Sequence, residues 1–490
     1  MSDIKNPHDS SAGQSANASS SRSVGLTWFR MLSRYHWFVV FVAALGWLFD
    51  TMDQQLFLLA RTPAMIELMS TTVEVEGKLQ SVPPTQDDIT WYGGICTSIF
   101  MVGWAFGGLI FGVLGDRLGR AKVMMWTIIV YSLFTGLSAF SQNIWDFALY
   151  RFLTGLGVGG EFAVGVALVA EVVPALARPY ALGFLQSSST IGNIMAALIS
   201  IMVGYVQGFG GFDNLVVGGQ HLTFWRVMFL VGALPALVVL IIRGRLKEPE
   251  TWTKVKESAE GSKKKLGSYR ELFSHPVWRR NAIVGLVLGA TGVVGLWGIG
   301  FFSFDLINGI AKARFTELGY TGKELASRVT LWVGITSVLQ NLGGFFGMNA
   351  FSYVAAYVGR RWAFAISLIL AMGSTMLVFS QLDQLSEIFW MAPLMGFGLL
   401  SLFGGFAVYF PELFPTHLRS TGISFCYNVG RFIAALGPLT LGGLTKYVFN
   451  EANGFQQGFR WAAVSLCAVF IFGFIALIFA PETKDQPLPE

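Results

Sequence analysis

Long apolar runs separated by short polar stretches make up almost the whole chain after residue 35. Crossing the hydrocarbon core of a bilayer, about 30 Å, takes about 20 helical residues. The runs that are long enough predict twelve spans, at 36–60, 90–114, 121–140, 144–173, 180–206, 223–244, 279–309, 327–352, 362–381, 387–410, 420–445 and 456–480. The pattern therefore predicts an all-α membrane protein with twelve transmembrane helices.

The polar stretches predict the domain organisation. Residues 1–35 are rich in Ser and Asn and contain no apolar segment, so we expect a disordered cytoplasmic tail and no signal peptide. The longest polar segment between two spans, 245–278, is the predicted cytoplasmic linker. It would join an N-terminal six-helix bundle at 36–244 to a C-terminal six-helix bundle at 279–480, and residues 481–490 would form a second cytoplasmic tail.

Composition and charge agree with a lipid environment. The chain is 53% hydrophobic and only 13% charged, which is too little polar surface to cover a water-soluble globule. Most of its 34 Lys and Arg residues lie in the tail and in alternate connections, which the positive-inside rule assigns to the cytoplasm. We therefore expect a multi-pass protein of the cell membrane with both termini cytoplasmic. The net charge of +5 reflects this distribution and predicts no nucleic-acid partner.

Three short motifs recur at corresponding places in the two halves of the chain. They are Glu-x-x-Pro-x-x-x-Arg at 171–178 and 412–419, Gly-x-Gly at 155–157 and 396–398, and Pro-Glu-Thr at 249–251 and 481–483. The first two pairs share one offset. A parallel duplication predicts two bundles related by a pseudo-two-fold along the membrane normal, with a solute site between them.

Several of these segments resemble a known family. Residues 115–120 (GDRLGR) resemble the signature loop of the major facilitator superfamily, and residues 359–361 (GRR) resemble its second copy without the acidic residue. Further similarity within the superfamily, to the sugar-porter and metabolite:proton symporter branches, lies in residues 151–162 (RFLTGLGVGGEF), 411–419 (PELFPTHLR) and 481–484 (PETK). Residues 49–53 (FDTMD) and 430–431 (GR) are more similar to symporters of aromatic and other organic acids. The resemblance implies the major facilitator fold, alternating access, proton coupling and function as a monomer.

The charged loop predicts a conformational latch. Asp116 and Arg120 lie at the ends of two helices, where they can form an ion pair only while those ends are close. The alternative is that these charges only fix the topology. Glu171 with Arg178, and Glu412 with Arg419, are expected to extend the same network. The predicted latch residues are Asp116, Arg117, Arg120, Glu171, Arg178, Arg360, Arg361, Glu412 and Arg419.

Charged residues inside the spans are candidates for proton coupling, because each costs about 2.5–3.5 kcal/mol in a bilayer. Asp50 and Arg151 are predicted at the same depth, so protonation of Asp50 would release Arg151, and the resemblance points to the same pair. The alternative is a static ion pair that fixes helix packing. Asp53 is a second proton site or a solute ligand, and Glu161 is a proton site or a protonated packing residue.

Arg431 is the principal candidate for solute binding. It lies near mid-membrane, where a guanidinium can hold a carboxylate in a fork, so we expect an organic anion as the solute. The alternative is an ion pair with Glu161 or another acid. Further predicted ligands are Gln54, Gln186, Asn193, Gln340, Asn341 and Trp297, although the polar ones are equally suited to bonding one helix to another.

Other classes of function are less consistent with the sequence. Residues 155–160 match a dinucleotide fingerprint but fall inside a span and follow no strand, so close helix packing explains them better. We expect no enzyme, no metal and no cofactor, and the predicted partners are a small solute, protons and lipid. A sugar or polyol symporter, a facilitative uniporter of a neutral solute and a membrane sensor remain alternatives to an organic-acid symporter.

Overall fold

A computed structural model describes residues 27–75, 78–208, 215–234, 246–260, 266–437, 440–441, 444, 448 and 450–489. The first half of the chain forms α1 (Arg34–Met69), α2 (Gln86–Leu118), α3 (Arg120–Ser138), α4 (Ile144–Val172), α5 (Arg178–Gly208) and α6 (Phe224–Gly232). Then follow α7 (Glu250–Glu260), α8 (Tyr269–Ser274), α9 (Pro276–Val293), α10 (Ser303–Glu317), α11 (Gly322–Val358) and α12 (Arg360–Gln381). The last helices are α13 (Ile388–Tyr409), α14 (Arg419–Asn428), α15 (Gly430–Ala434), α16 (Asn450–Leu466) and α17 (Val469–Phe479).

Ten helical segments within the described residues are long and apolar enough to cross a membrane. They match ten of the twelve predicted spans and confirm an all-helical membrane protein. The other two predicted spans, 223–244 and 420–445, lie partly outside the described residues, and their described parts are helical. The only strands among the described residues form two short antiparallel ribbons in connections, β1 (Thr71–Val75) with β2 (Lys78–Val82), and β3 (Val216–Val217) with β4 (Gln220–His221).

The repeated glycines explain how each half is packed. In the first half α4 packs against α2 and α3, and in the second half α13 packs against α11 and α12. A methyl group at Gly155 or at Gly396 would overlap a backbone carbonyl of the neighbouring helix, from Phe100 and Gln340 respectively. The recurring Gly-x-Gly thus lets two helices approach backbone to backbone in each half, which supports the helix-packing interpretation of this motif.

The two halves meet through α2 with α14 and through α5 with α11. We call the end of the bundle that holds residues 115–120 the latch end. Here α2 presents a row of three glycines to α14, and a methyl group on any of them would overlap an α14 side chain; the pairs are Gly108 with Asn428, Gly112 with Ser424, and Gly115 with Ser420. Ser424 Oγ also donates to the Gly108 carbonyl. The halves are therefore closed against each other at the latch end.

Three predicted segments differ from expectation. Residues 1–26 lie outside the described residues, but the rest of the predicted disordered tail is folded, because Trp28–Met31 is a 3₁₀ helix whose Trp28 packs on Tyr180. The linker contains α7 and α8. The span predicted at 279–309 is interrupted by a π-helical turn at Val294–Ile299 and a 3₁₀ turn at Gly300–Phe302 before it continues as α10. Such π turns are frequent at functional sites. The predicted limits of the two bundles stay predictions.

Candidate functional site

Asp116 joins the two halves at the latch end. Its carboxylate accepts hydrogen bonds from the backbone N–H groups of Ser420 (3.1 Å) and Thr421 (2.9 Å) and from the Thr421 hydroxyl (2.6 Å). These donors form the first turn of α14, where a helix presents unsatisfied N–H groups to an anion. Asp116 also pairs with Arg120 at 3.1 Å, and both side chains are fully buried. The predicted Asp116–Arg120 pair is present, and it is tied directly to the other half.

Glu171 connects the halves a second time. One carboxylate oxygen lies 3.0 Å from Arg120 of its own half and 2.8 Å from Arg419 of the other half. Arg120 further donates to the Thr416 carbonyl at 2.7 Å. The contacts of Glu171 with Arg419 and of Arg120 with Thr416 exist only while the latch end is closed, so they favour this closed arrangement over an open one.

Arg178, Glu412 and Arg419 join the network through partners other than those predicted. Glu171 pairs with Arg419 in place of Arg178, and Glu412 pairs with Arg360 (2.7 Å) in place of Arg419. Arg178 lies near Arg419, Glu412 and Glu171 within electrostatic range. The repeat thus places equivalent acids in each half, but of these two only Glu171 forms an ion pair with the other half in the described part of the chain, so the two halves contribute unequally to the latch.

Arg117 and Arg361 lie at the rim of the network. Arg117 is exposed and donates to the carbonyls of Leu266 and Gly267 in the linker. Arg361 is exposed and its backbone N–H donates to Glu482 at 3.2 Å. Both side chains are therefore peripheral to the ion pairs that join the halves.

Two acids absent from the predicted set cap the helices that follow the latch loops. Glu248 accepts from the backbone N–H groups of Arg120, Ala121 and Lys122 at the start of α3. Glu482 accepts from the N–H of Arg360 (2.9 Å) at the start of α12. Both lie in or beside the repeated Pro-Glu-Thr motif, so the repeat could have identified them as candidates.

Arg151 pairs with Asp53, and the predicted pair with Asp50 is wrong for this arrangement of the helices. Arg151 Nη1 lies 3.7 Å from Asp53 Oδ2. The guanidinium also donates to Ser138 (2.7 Å) and Thr154 (3.0 Å). Thr135 donates to the other Asp53 oxygen at 2.6 Å. This fully buried ion pair belongs to the first half alone; its two facing atoms, Arg151 Nη1 and Asp53 Oδ2, have no hydrogen-bond partner among the described residues, whereas the other atoms of both groups do.

Asp50 instead belongs to a central polar cluster. Neither of its carboxylate oxygens has a hydrogen-bond partner among the described residues, although the side chain is completely buried. Trp47, three residues before Asp50 on α1, meets Tyr427 of the other half edge-on, with ring centroids 6.4 Å apart. Asp50 thus lies close to the interface between the bundles.

Arg431 is buried in the same cluster and makes no ion pair among the described residues. Its Nη1 donates to the Tyr427 carbonyl (2.5 Å) and to Asn428 Oδ1 (2.9 Å), while Nε has no partner in that part of the chain. The guanidinium lies over two aromatic rings, 3.8 Å from the centroid of Trp104 and 4.4 Å from that of Tyr427. The predicted alternative of a pair with Glu161 is not realised.

The other predicted solute ligands fall into two groups. Asn193 and Asn341 bond to each other across the halves at 2.8 Å. Gln54 Nε2, Gln186 Oε1 and Gln340 Oε1 are buried without a partner among the described residues. A buried polar group without a partner costs about 1–3 kcal/mol, so these three amides are suited to a polar ligand.

Three aromatic residues complete the cluster. Trp297 lies in the π turn and meets Trp104 edge-on, with ring centroids 5.6 Å apart. Trp104 and Tyr427 were absent from the predicted set. Tyr427 precedes Arg431 by one helical turn and could have been inferred from that spacing, whereas nothing near Trp104 in the sequence marks it.

The fold and this site define a class of protein: two helical membrane bundles, closed at one end by ion pairs, with a polar cluster buried between them. Comparison with known proteins agrees. The family model described as sugar (and other) transporter matches residues 60–276 and 287–485. A putative metabolite transport protein of Haemophilus influenzae is 29% identical over 81% of this chain and 88% of its own. A niacin transporter of Acinetobacter baylyi is 26% identical over 93% of this chain and 96% of its own.

A solved structure shows the same fold. The major facilitator superfamily proton:xylose symporter XylE, bound to 6-bromo-6-deoxy-D-glucose, superposes with a TM-score of 0.62 at 18% identity, over 93% of this chain and 98% of that one. The chain belongs to the sugar (and other) transporter family of the major facilitator superfamily. It is a multi-pass membrane transporter and not an enzyme, and its relatives are mostly transporters of small organic metabolites.

Proposed function

We propose that this protein is a proton-coupled symporter that moves a small organic anion across the cell membrane by alternating access. One observation carries the proposal. Arg431 is a buried cation with no carboxylate partner among the described residues, and Asp50 is a buried acid with two unpaired oxygens close to the same interface between the bundles. The two groups supply a binding site for an anion and a binding site for a proton in one cluster.

The surroundings of Arg431 suit a solute carboxylate. The free Nε and the rest of the guanidinium fork can bind a carboxylate through two hydrogen bonds. Trp104 and Tyr427 hold the guanidinium plane by stacking, which lowers the entropy lost when the solute binds. Trp297 and the unpaired amides would contact the rest of the solute. An aromatic or short-chain carboxylic acid fits these contacts best.

Charge balance couples the solute to the proton. Without solute, ionised Asp50 offsets part of the charge of Arg431. When a solute carboxylate binds Arg431, two negative charges, those of the solute and of Asp50, face one positive charge. The second negative charge is unfavourable in a site of low dielectric constant. Asp50 then takes up a proton, so anion and proton are carried together. Asp53 and Arg151 stay an internal ion pair that holds α1 against α4.

The latch allows two states, one closed and one open at the latch end. The structure is closed at the latch end, and we assign this end to the cytoplasm, with both termini on the same side, because the connections at this end hold most of the Lys and Arg. Opening there must break the contacts of Asp116 and Glu171 with the other half. The niacin transporter of Acinetobacter baylyi supports an anionic solute, since niacin is a carboxylic acid.

The test uses purified protein, first for binding and then for transport. Melting is measured with niacin, benzoate, cis,cis-muconate and xylose, since a ligand at a hundred times its dissociation constant stabilises a protein by about 2.7 kcal/mol. A shift with carboxylates is expected, and a shift with xylose alone would contradict an anionic solute.

In proteoliposomes, Asp50→Asn should abolish uptake driven by a proton gradient while solute exchange continues. Glu317→Gln, at an exposed acid on α10, serves as the control. Gradient-driven uptake by Asp50→Asn at the wild-type rate would overturn the proposed coupling.

A further inference from the structure

Glu161 is a buried acid of the central cluster that the coupling described above does not use. Only 1% of its surface is exposed, and no ion pair of its carboxylate is present among the described residues. Its Oε2 accepts a hydrogen bond from the Thr127 hydroxyl at 2.6 Å, and its Oε1 has no partner in that part of the chain. A carboxyl so placed is costly to ionise, so its presence in a span needs an explanation.

The position of Glu161 relative to Asp50 is fixed by Gly46. A methyl group at Gly46 would overlap Glu161 Oε1, so the carboxyl of α4 rests directly on α1 at this glycine. Gly46 precedes Asp50 by one helical turn, about 6 Å along α1. The N-terminal end of α1 lies at the latch end, where Tyr35 donates to the Lys247 carbonyl. Glu161 therefore lies one turn nearer to the latch end than Asp50.

The two acids form a pair. The carboxyl of Glu161 rests on α1 at Gly46, one helical turn from Asp50. The other titratable groups that face them are Asp53 on α1, Tyr131 on α3, and Tyr427 and Arg431 on the other half. Asp53 is already paired with Arg151, which leaves Arg431 as the only cation for both acids among the described residues. Two negative charges one helical turn apart in a buried site with a single cation are unfavourable, so we expect at least one of the two acids to hold a proton.

Three aromatic rings lie beside this pair and link the two halves. Trp47 and Phe162 of the first half contact each other at 5.0 Å between ring centroids, and Tyr427 of the second half stacks on Phe162 at 3.9 Å. Phe162 directly follows Glu161 in the chain. When the halves separate at the latch end, Tyr427 must leave Phe162, which opens the face of α4 beside Glu161.

We propose that Glu161 is the proton relay between Asp50 and the latch end. With the solute bound, both carboxyls are protonated. Once Tyr427 has moved away, Glu161 gives its proton to water, and the resulting carboxylate accepts the proton of Asp50, so that Asp50 is again ionised and Glu161 again protonated. The relay rests on the proposed symport and adds a defined exit path to it. It assigns the glycine at position 46 a role as well, because only a residue without a side chain lets the Glu161 carboxyl rest on α1 one turn from Asp50.

The test separates net transport from exchange in proteoliposomes, with the carboxylate of the panel above that shifts the melting point most. Glu161→Gln is isosteric with the protonated acid and keeps an acceptor for Thr127. Net gradient-driven uptake should fall by about two orders of magnitude, the usual scale of a lost proton-transfer group, while exchange stays within about twofold of wild type. Wild-type net uptake by Glu161→Gln, with Asp50→Asn still defective, would refute the relay and leave the symport standing.

Gly46→Ala provides an independent variant that keeps the acid. The new methyl displaces the Glu161 carboxyl, and alanine is a better helix former than glycine, so the fold is expected to persist. We expect the same loss of net uptake with preserved exchange. Gly165→Ala, one turn along α4, is the matched control, since its methyl would meet only Ala43 at 3.9 Å.

Loss of exchange in Glu161→Gln at an unchanged melting point would make Glu161 a solute ligand and overturn the relay. If Asp50→Asn and wild type take up the solute at the same rate under a proton gradient, the symport itself fails.

Discussion

Replacing Asp116 with Asn should open the latch end. The carboxylate of Asp116 accepts three hydrogen bonds from Ser420 and Thr421 of the other half and pairs with Arg120. Asparagine keeps the shape but removes the charge and replaces one acceptor with a donor. That donor would point at the N–H groups that begin α14, and the charge of Arg120 would lose one of its two acids.

The expected change in free energy between the closed and open states follows from these contacts. Removing one partner of a buried ion pair costs about 3–5 kcal/mol when the other charge stays buried. Asp116 and Arg120 belong to the same half, so this cost acts on both states. The closed state alone loses the hydrogen bonds from Ser420 and Thr421 to the charged carboxylate, each worth about 1.5–3 kcal/mol, and we expect a difference of about 3 kcal/mol between the states. At about 1.4 kcal/mol per factor of ten, the ratio of closed to open molecules should fall about 100-fold.

Distance measurement between two spin labels gives this ratio directly. Leu118 and Val358 are exposed residues beside the two latch loops, one in each half, and both accept a cysteine for labelling. The three native cysteines are buried, so labelling at the new sites is selective. Asp116→Asn should move most of the distance distribution to longer values. The control is Glu317→Gln, which removes an exposed ion pair worth less than about 1 kcal/mol. An unchanged distribution in Asp116→Asn would refute the latch.

Three further predictions concern other parts of the network. Asp53→Asn should lower the melting temperature strongly, because it leaves the buried Arg151 without its acid, whereas Asp50→Asn should not, because Asp50 has no ion-pair partner among the described residues; equal losses would contradict the revised pairing. Arg431→Gln should abolish the melting shift with carboxylates, and Arg431→Lys should restore it only in part, since an ammonium lacks the planar fork. Burial raises the pKa of Glu482, but the N–H groups of Arg360, Lys484 and Arg361 outweigh it and hold the pKa below 4.5. The resulting stability is present at neutral pH and is lost as the pH falls through that lowered pKa, so the melting difference between wild type and Glu482→Gln should vanish at acid pH.

Much of the architecture was predictable because it depends on periodicities along the chain. A span needs only a sufficiently long apolar run, and ten of the twelve predicted runs are found as membrane-length helices. The duplication could be predicted from the sequence in the same way. Gly155 and Gly396 occupy equivalent positions because each half needs the same close contact of two backbones. The ion pair of Asp116 with Arg120 followed from a loop too short to separate them.

The partner of Arg151 was not predictable in the same way. Asp50 and Asp53 differ by about 4.5 Å along α1, which is less than the uncertainty in the ends of a predicted helix. They also differ by about 60° around the helix, and the depth of a residue in the membrane does not determine the direction in which its side chain leaves the helix. Which of the two acids faces α4 is decided by how α1 is rotated in the bundle, so only the packed structure assigns Asp53 to Arg151.

The sequence by itself determined the spans, the duplication and the set of charges that lie within the membrane, since each follows from spacing along one helix. Only the tertiary structure decided which charges meet. In the folded protein Glu171 pairs with Arg419 of the other half. Arg431 stacks on the rings of Trp104 and Tyr427 and makes no ion pair in the described part of the chain. Glu161 contacts Gly46. These contacts depend on the rotation and approach of helices distant in sequence, which hydropathy does not encode.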